Sequence, residues 1–125
     1  MILVDTSVWV DHFRRSDARL AALLERGTVV MHSFVIGEIA CGSLADRATI
    51  LELLQDLPAA AVAESDEVLV FTEQHRLHGK GIGYVDVHLL ASVALTEGTQ
   101  LWTRDKRLLS VAEDLDCAYS DAGAH

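Results

Sequence analysis

Short apolar runs alternate with helical patterns along the chain, and this alternation restricts the fold more than any other feature. Ile2-Leu3-Val4, Val29-Val30-Met31 and Leu101-Trp102-Thr103 read as buried strands. Cys117-Ala118-Tyr119 reads as a short last strand, and Ala60 to Ala63 as a weaker one, because alanine is a poor strand former. Helical patterns fill the intervals. Trp9 and Phe13 share a face behind Thr6 or Ser7, either of which can cap a helix. Leu20, Leu23 and Leu24 continue a helical pattern to Gly27, and Ser33 can cap a helix carrying Glu38. Ile50, Leu53, Leu54 and Leu57 have amphipathic spacing before Pro58. Ser65 opens a helix running to about His78, and Leu108, Val111, Ala112 and Leu115 mark a last one. Val85 to Glu97 is apolar almost all round, which predicts a buried helix. Strands alternating with helices imply an α/β fold, with a mostly parallel sheet covered by helices on both faces.

A length of 125 residues, half of them apolar, suits a single domain over residues 1–125 with a substantial core and argues against a disordered chain. The tail from Asp121 is expected to fray. Cys41 and Cys117 form neither a CxxC pair nor a disulfide framework; two reduced, mostly buried thiols in a cytoplasmic protein are expected. Met1-Ile-Leu-Val runs straight into Asp5 without a signal-peptide pattern, and no apolar run approaches a membrane span. The net charge of −9 disfavours broad, non-specific attraction to nucleic acid, which rests on lysine and arginine. It is compatible with action on RNA if bound cations cancel part of the charge, and it suits a basic protein partner.

Four acids carry the chemical signal. Asp5 follows the first strand, Asp105 lies just beyond the strand ending at Thr103, and Asp86 opens the buried helix after a glycine connector. In parallel α/β folds the crevice at the carboxyl ends of the strands is the ligand site. Glu38 lies within Phe34-Val35-Ile36-Gly37-Glu38-Ile39-Ala40, where a buried carboxylate would need a partner or a metal. Taken singly, Asp5 and Asp86 could each be a helix cap, Asp105 could pair with Arg104 or Lys106, and Glu38 could reach solvent. Taken together, clustered carboxylates either retain protons or hold a cation, and an all-oxygen donor set favours Mg²⁺ or Mn²⁺ over zinc.

The blocks Ile2-Leu3-Val4-Asp5-Thr6-Ser7-Val8-Trp9, Val35-Ile36-Gly37-Glu38-Ile39, Gly83-Tyr84-Val85-Asp86-Val87-His88-Leu89-Leu90-Ala91 and Leu101-Trp102-Thr103-Arg104-Asp105-Lys106-Arg107-Leu108 resemble the PIN domain. More narrowly, they resemble the toxin half of VapBC type II toxin–antitoxin modules. No single block is specific; four in order over the whole chain are. The resemblance implies a Rossmann-like three-layer αβα sandwich with Asp5, Glu38, Asp86 and Asp105 around one or two Mg²⁺ or Mn²⁺ ions. It implies an endoribonuclease that cuts transfer RNA or a ribosomal RNA loop and so blocks translation. Ser7 and Thr103 fall on the positions that orient the acids. The implied partners are RNA, a VapB-like antitoxin that presses a basic side chain into the acidic pocket, and a second copy in a homodimer. Arg104, Lys106, Arg107 and Lys80 are candidates to hold the RNA backbone, against the alternative of a solvated charged face.

Other signals are weaker. Gly79, Gly81 and Gly83 match neither GxGxxG nor a P-loop. His75 and His78 lack the further ligands a zinc site needs, His88 is expected to pack beside the acids, and Trp9 and Trp102 to fill the core. Two rival chemistries use Asp5 differently. A haloacid-dehalogenase-like phosphotransferase would want an acid where Ser7 stands, and a phosphoryl-accepting receiver would want a lysine where Thr103 stands. A non-catalytic scaffold of the same fold is the third alternative.

Overall fold

The computed structural model describes residues 1–120; the expectation of a frayed tail from Asp121 lies outside them. In chain order the elements are β1 (Ile2–Val4), α1 (Thr6–Arg14), α2 (Ala18–Glu25), β2 (Val29–Val30), α3 (Ser33–Ala40), α4 (Arg47–Gln55), α5 (Ser65–His75), α6 (Tyr84–Leu95), β3 (Gln100–Trp102) and α7 (Lys106–Asp114). The sheet is all parallel, in the order β2-β1-β3. Leu3 is level with Val30 on one side and Leu101 on the other, and Val4 with Trp102. Successive strand residues face opposite ways, and both Leu3 and Val4 are wholly buried, so both faces of the central strand are covered. That is why these strands read as continuous apolar runs.

Two expected strands shrink to single bridges. Ala60 to Ala63 is not a strand; Met31 pairs instead with Ala59, through its amide to the Pro58 carbonyl at 2.8 Å and from the Ala60 amide to its own carbonyl at 2.8 Å. Pro58 cannot donate to a ladder, which confines the pairing to one residue. On the other side Leu101 bridges Ala118, in place of a strand over Cys117 to Tyr119.

Helix boundaries also shift. Neither Thr6 nor Ser7 caps α1, because Asp5 occupies the N-cap position; likewise His32, not Ser33, caps α3, its Nδ1 accepting from the Phe34 amide at 3.0 Å. The helix begun at Ser65 ends at His75, where Arg76 turns left-handed, so His78 lies beyond it. α6 is buried from Val87 to Val93, as its composition predicts, and Trp9 and Trp102 are core residues. Cys41, expected to be mostly buried, is exposed at the end of α3, and Cys117 is half-buried; both are free thiols. No helix among the described residues is long and apolar enough to cross a membrane.

Candidate active site

The parallel register delivers two acids, Asp5 and Asp105, to one edge. Beyond the last ladder residue of β1, the Asp5 amide donates to the Trp102 carbonyl at 2.8 Å, so β1 and β3 end side by side. Asp5 follows one strand, and Thr103-Arg104-Asp105 follows the other.

Asp5 is only 5% exposed. It stands at the N-cap of α1, yet its carboxylate makes no capping bond. Its Oδ2 instead accepts from Ser7 Oγ at 2.7 Å and from Thr103 Oγ1 at 2.8 Å. Each hydroxyl has one proton, and both are aimed at Asp5, so each oxygen is left to accept. Ser7 Oγ accepts from the Arg104 amide at 3.0 Å, and Thr103 Oγ1 accepts from the Asp105 amide at 3.1 Å. Backbone, hydroxyl and carboxylate thus form a relay that fixes the Asp5 rotamer from two elements.

Asp105 is the true cap of the set. Its Oδ1 accepts from the Arg107 and Leu108 amides, both at 3.0 Å, at the start of α7. Asp86, in the first turn of α6, folds back so that Oδ2 accepts from the Gly83 amide at 2.9 Å. Burial pushes the Asp86 carboxyl above its ordinary value, the Gly83 bond pulls it back, and the charges of Asp5 and Asp105 push it up again. Three carboxylates from three elements therefore share one electrostatic neighbourhood.

Glu38 corrects a sequence argument. It is exposed, so no burial penalty demands a partner for it. Its link to the others is Thr6, whose Oγ1 donates to Glu38 Oε1 at 2.8 Å. Thr6 adjoins Asp5, so α3 is tied at Glu38 to the first turn of α1. In the sequence Thr6 stands only as a candidate cap, and its adjacency to Asp5 is the one hint of this role.

The basic residues separate. Arg104 does not face the acids as an RNA contact would. Its guanidinium pairs with Asp11 at 2.9 Å and Asp17 at 2.6 Å and lies 5.3 Å from the Trp102 ring centre. The Asp17 hydrogen bond leads in holding the Arg104 guanidinium above its ordinary value. Burial raises the Asp17 carboxyl, but Arg104 and the Leu20 and Arg19 amides outweigh it, leaving the acid below its usual range. Arg107 is exposed on α7, with its side chain lying across Gly81. A Cβ added to Gly81 would stand 2.7 Å from Arg107 Cδ, and Gly81 also holds a φ of +80°, so two constraints favour glycine there. Lys106 and Lys80 are exposed. Replacing Arg104 by Ala is expected to lower stability by about 1 kcal/mol and leave RNA affinity nearly unchanged. Urea unfolding and RNA titration of Arg104→Ala beside Arg107→Ala check this; a larger affinity loss for Arg104→Ala would reverse the assignment.

His88 packs as expected near these elements, on Phe34 at 4.5 Å and Tyr84 at 4.6 Å between ring centres, with His32 at 6.3 Å.

A family model described as the PIN domain matches residues 2–114. The chain belongs to the PIN-domain family. This PIN domain is 47% identical over 121 residues to Ribonuclease VapC32 from two strains of Mycobacterium tuberculosis, covering 97% of this chain and 98% of the relative. Its fold is similar to a chain in the structure of FitAB bound to an IR36 DNA fragment, with a TM-score of 0.57 and 18% identity over 90% of this chain and 91% of the other.

The donor chemistry of this PIN domain suits a hard divalent cation. Each of the four acids commits one oxygen to the fold, while the second oxygen accepts no hydrogen bond among the described residues. Among those residues no group of three or more His, Cys, Asp or Glu side chains is already drawn into metal-holding geometry. A cation among these acids would turn their mutual repulsion into shared attraction.

Proposed function

We propose that this PIN domain is the toxin of a VapBC-type module, an endoribonuclease that uses Mg²⁺ or Mn²⁺ held by Asp5, Asp86, Asp105 and Glu38. The observation that carries the reading is that β1 and β3 end side by side, which places Asp5 and Asp105 at one sheet edge, with Asp86 near enough that their charges add to the effect of burial in raising its carboxyl. The 47% identity to a ribonuclease across nearly the whole chain supports the choice of substrate.

When bound, the cation supplies a Lewis acid that lowers the pKa of water and offsets the charge gathering on a phosphodiester. The chain supplies placement. Ser7 and Thr103 hold Asp5, the Gly83 amide holds Asp86, and the α7 amides hold Asp105, each through one oxygen, so that the other accepts no hydrogen bond among the described residues. Glu38, on the solvent side and steadied by Thr6, either adds a ligand oxygen or takes a proton from the attacking water. Arg107, Lys106 and Lys80 offer exposed cations for the RNA backbone, whereas Arg104 is committed to Asp11 and Asp17. Transfer RNA or a ribosomal RNA loop is the proposed target, in the cytoplasm. A VapB-like antitoxin with a basic tail, assembled with a toxin homodimer, is the proposed partner, and the net charge of −9 favours that pairing. Ser7 and Thr103, hydrogen-bonded to Asp5 as they are, weigh against phosphotransfer on that carboxylate.

The test is incubation of the purified protein, freed of any partner, with total cellular RNA in Mg²⁺, in Mn²⁺ and in EDTA, with cut ends mapped. Discrete cuts that require metal are expected. A folded protein that cuts nothing in either metal would return the reading to a scaffold or phosphoryl-accepting domain. Metal binding has its own readout. At a hundredfold excess over its dissociation constant, Mn²⁺ should stabilise the fold by about 3 kcal/mol, a rise of several degrees in melting temperature. An unchanged melt would remove the metal from the proposal.

A further inference from the structure

Tyr84 opens a helix that is buried from Val87 to Val93, yet Tyr84 itself is 54% exposed. No hydrogen-bond partner for its hydroxyl occurs among the described residues, so a polar contact does not explain the placement. The ring is nevertheless not a loose surface side chain. It meets His88 edge-on at 4.6 Å with an interplanar angle of 86°, and His88 in turn packs on Phe34 at 4.5 Å. His88 is 3% exposed, so Tyr84 is braced from below by a fixed imidazole. Tyr84 directly follows the 79–83 loop, whose Gly83 amide holds Asp86 and whose Gly81 lies under Arg107. An exposed braced ring, an exposed guanidinium and one of the clustered carboxylates thus meet at a single loop–helix junction.

We infer that this junction is a nucleotide subsite, in which Tyr84 stacks on a base next to the scissile phosphate and Arg107 contacts the adjoining phosphate. The inference rests on the ribonuclease reading and adds to it a base-contacting residue outside the four acids. The occupant is single-stranded RNA. An unpaired base offers a free π-face to an aromatic side chain, and the phosphate beside it offers a partner to the exposed Arg107. A bare ring reads no base edge, so the subsite should favour purines over pyrimidines through stacking strength alone.

The experiment uses the full chain carrying Asp5→Asn, so that RNA is bound without being cut. It is titrated with short single-stranded oligoadenylate and oligouridylate carrying 2-aminopurine at successive positions. Quenching at one position, stronger binding of oligoadenylate, and a loss of about tenfold or more on adding Tyr84→Ala are expected. Tyr84→Phe should bind like the parent, because the hydroxyl takes no part, and should keep the quenching signal. Leu69→Ala, at an even more exposed apolar position on α5, should change neither. Equal binding and quenching in Tyr84→Ala, with metal-dependent cutting by the unmutated chain intact, overturns the subsite and leaves the ribonuclease standing. Loss of binding in Tyr84→Phe to the level of Tyr84→Ala overturns the stacking role. An unmutated chain that neither binds nor cuts RNA overturns both readings.

Discussion

Replacing Asp5 by Asn is expected to abolish metal-dependent cutting while the protein stays folded. Substituting residues that merely orient metal ligands typically costs about 10- to 100-fold, so losing a ligand should exceed 100-fold in kcat/KM. The fold should survive because an asparagine carbonyl can still accept from Ser7 Oγ and Thr103 Oγ1, the two hydroxyls that now donate to Asp5. Removing the charge also removes one of the pressures that lift the Asp86 carboxyl. The metal-free variant should therefore be no less stable than the parent, and its response to Mn²⁺ should shrink. Thr103→Val and Ser7→Ala probe the relay one step out, with expected losses of about 10- to 100-fold. Single-turnover cleavage of a mapped RNA site, with urea unfolding of each variant, gives the comparison. Cuts at the same positions and rates in Asp5→Asn would sink the assignment of the site and point to another nuclease in the preparation.

The parts of this site that the sequence discloses are those that depend on strand ends. A buried parallel strand must be apolar throughout, so Ile2-Leu3-Val4 announces itself, and the first polar residue after it has to stand at the sheet edge. Asp5 and Asp105 were legible for that reason, and Asp86 because it opens a helix whose burial composition makes plain. Glu38 was found by the wrong argument. An apolar neighbourhood in sequence does not imply burial here, because on a helix the neighbours at one and two positions point elsewhere, and Glu38 faces solvent. The bond from Thr6 joins residues 32 positions apart, and no local pattern encodes it. Arg104 misled in the opposite way. Its neighbour Asp105 suggested a role at the pocket, while its partners Asp11 and Asp17 come from α1 and the cap of α2. Flanking strands reduced to single bridges were beyond reach for the same reason: pairing length is set by the partner, and Pro58 limits one of them.

The largest stability effect should come from His32, which lies outside the acidic set. Its side chain is fully buried, and its Nδ1 must keep a lone pair to accept the Phe34 amide and so cap α3. Burial, and to a smaller degree the nearby His88, pull its pKa down from 6.5 to about 4. Neutral His32 carries its single proton on Nε2, which is buried without a hydrogen-bond partner among the described residues, and a second proton would have to sit on Nδ1, facing the Phe34 N–H. The unfolded chain takes up a proton near pH 6.5, while the folded chain resists it until about pH 4. The stabilisation from a neutral His32 is thus complete above pH 6.5 and drains away as pH falls toward 4. Between pH 7 and pH 5 the loss from this residue should be about 2 kcal/mol. His88, also lowered by burial, adds in the same direction, whereas Asp86, raised by burial, works against it. His32→Asn separates these contributions. Asparagine can cap a helix and does not titrate, so the variant should lose some stability at pH 7 but show a shallower decline on acidification. Urea unfolding of both proteins at pH 7 and pH 5 decides the matter. Parallel declines would mean that His32 is protonated in the folded state and that α3 is capped by other means; a decline reduced by about 2 kcal/mol would fix the neutral imidazole as part of what holds the Glu38 helix in place.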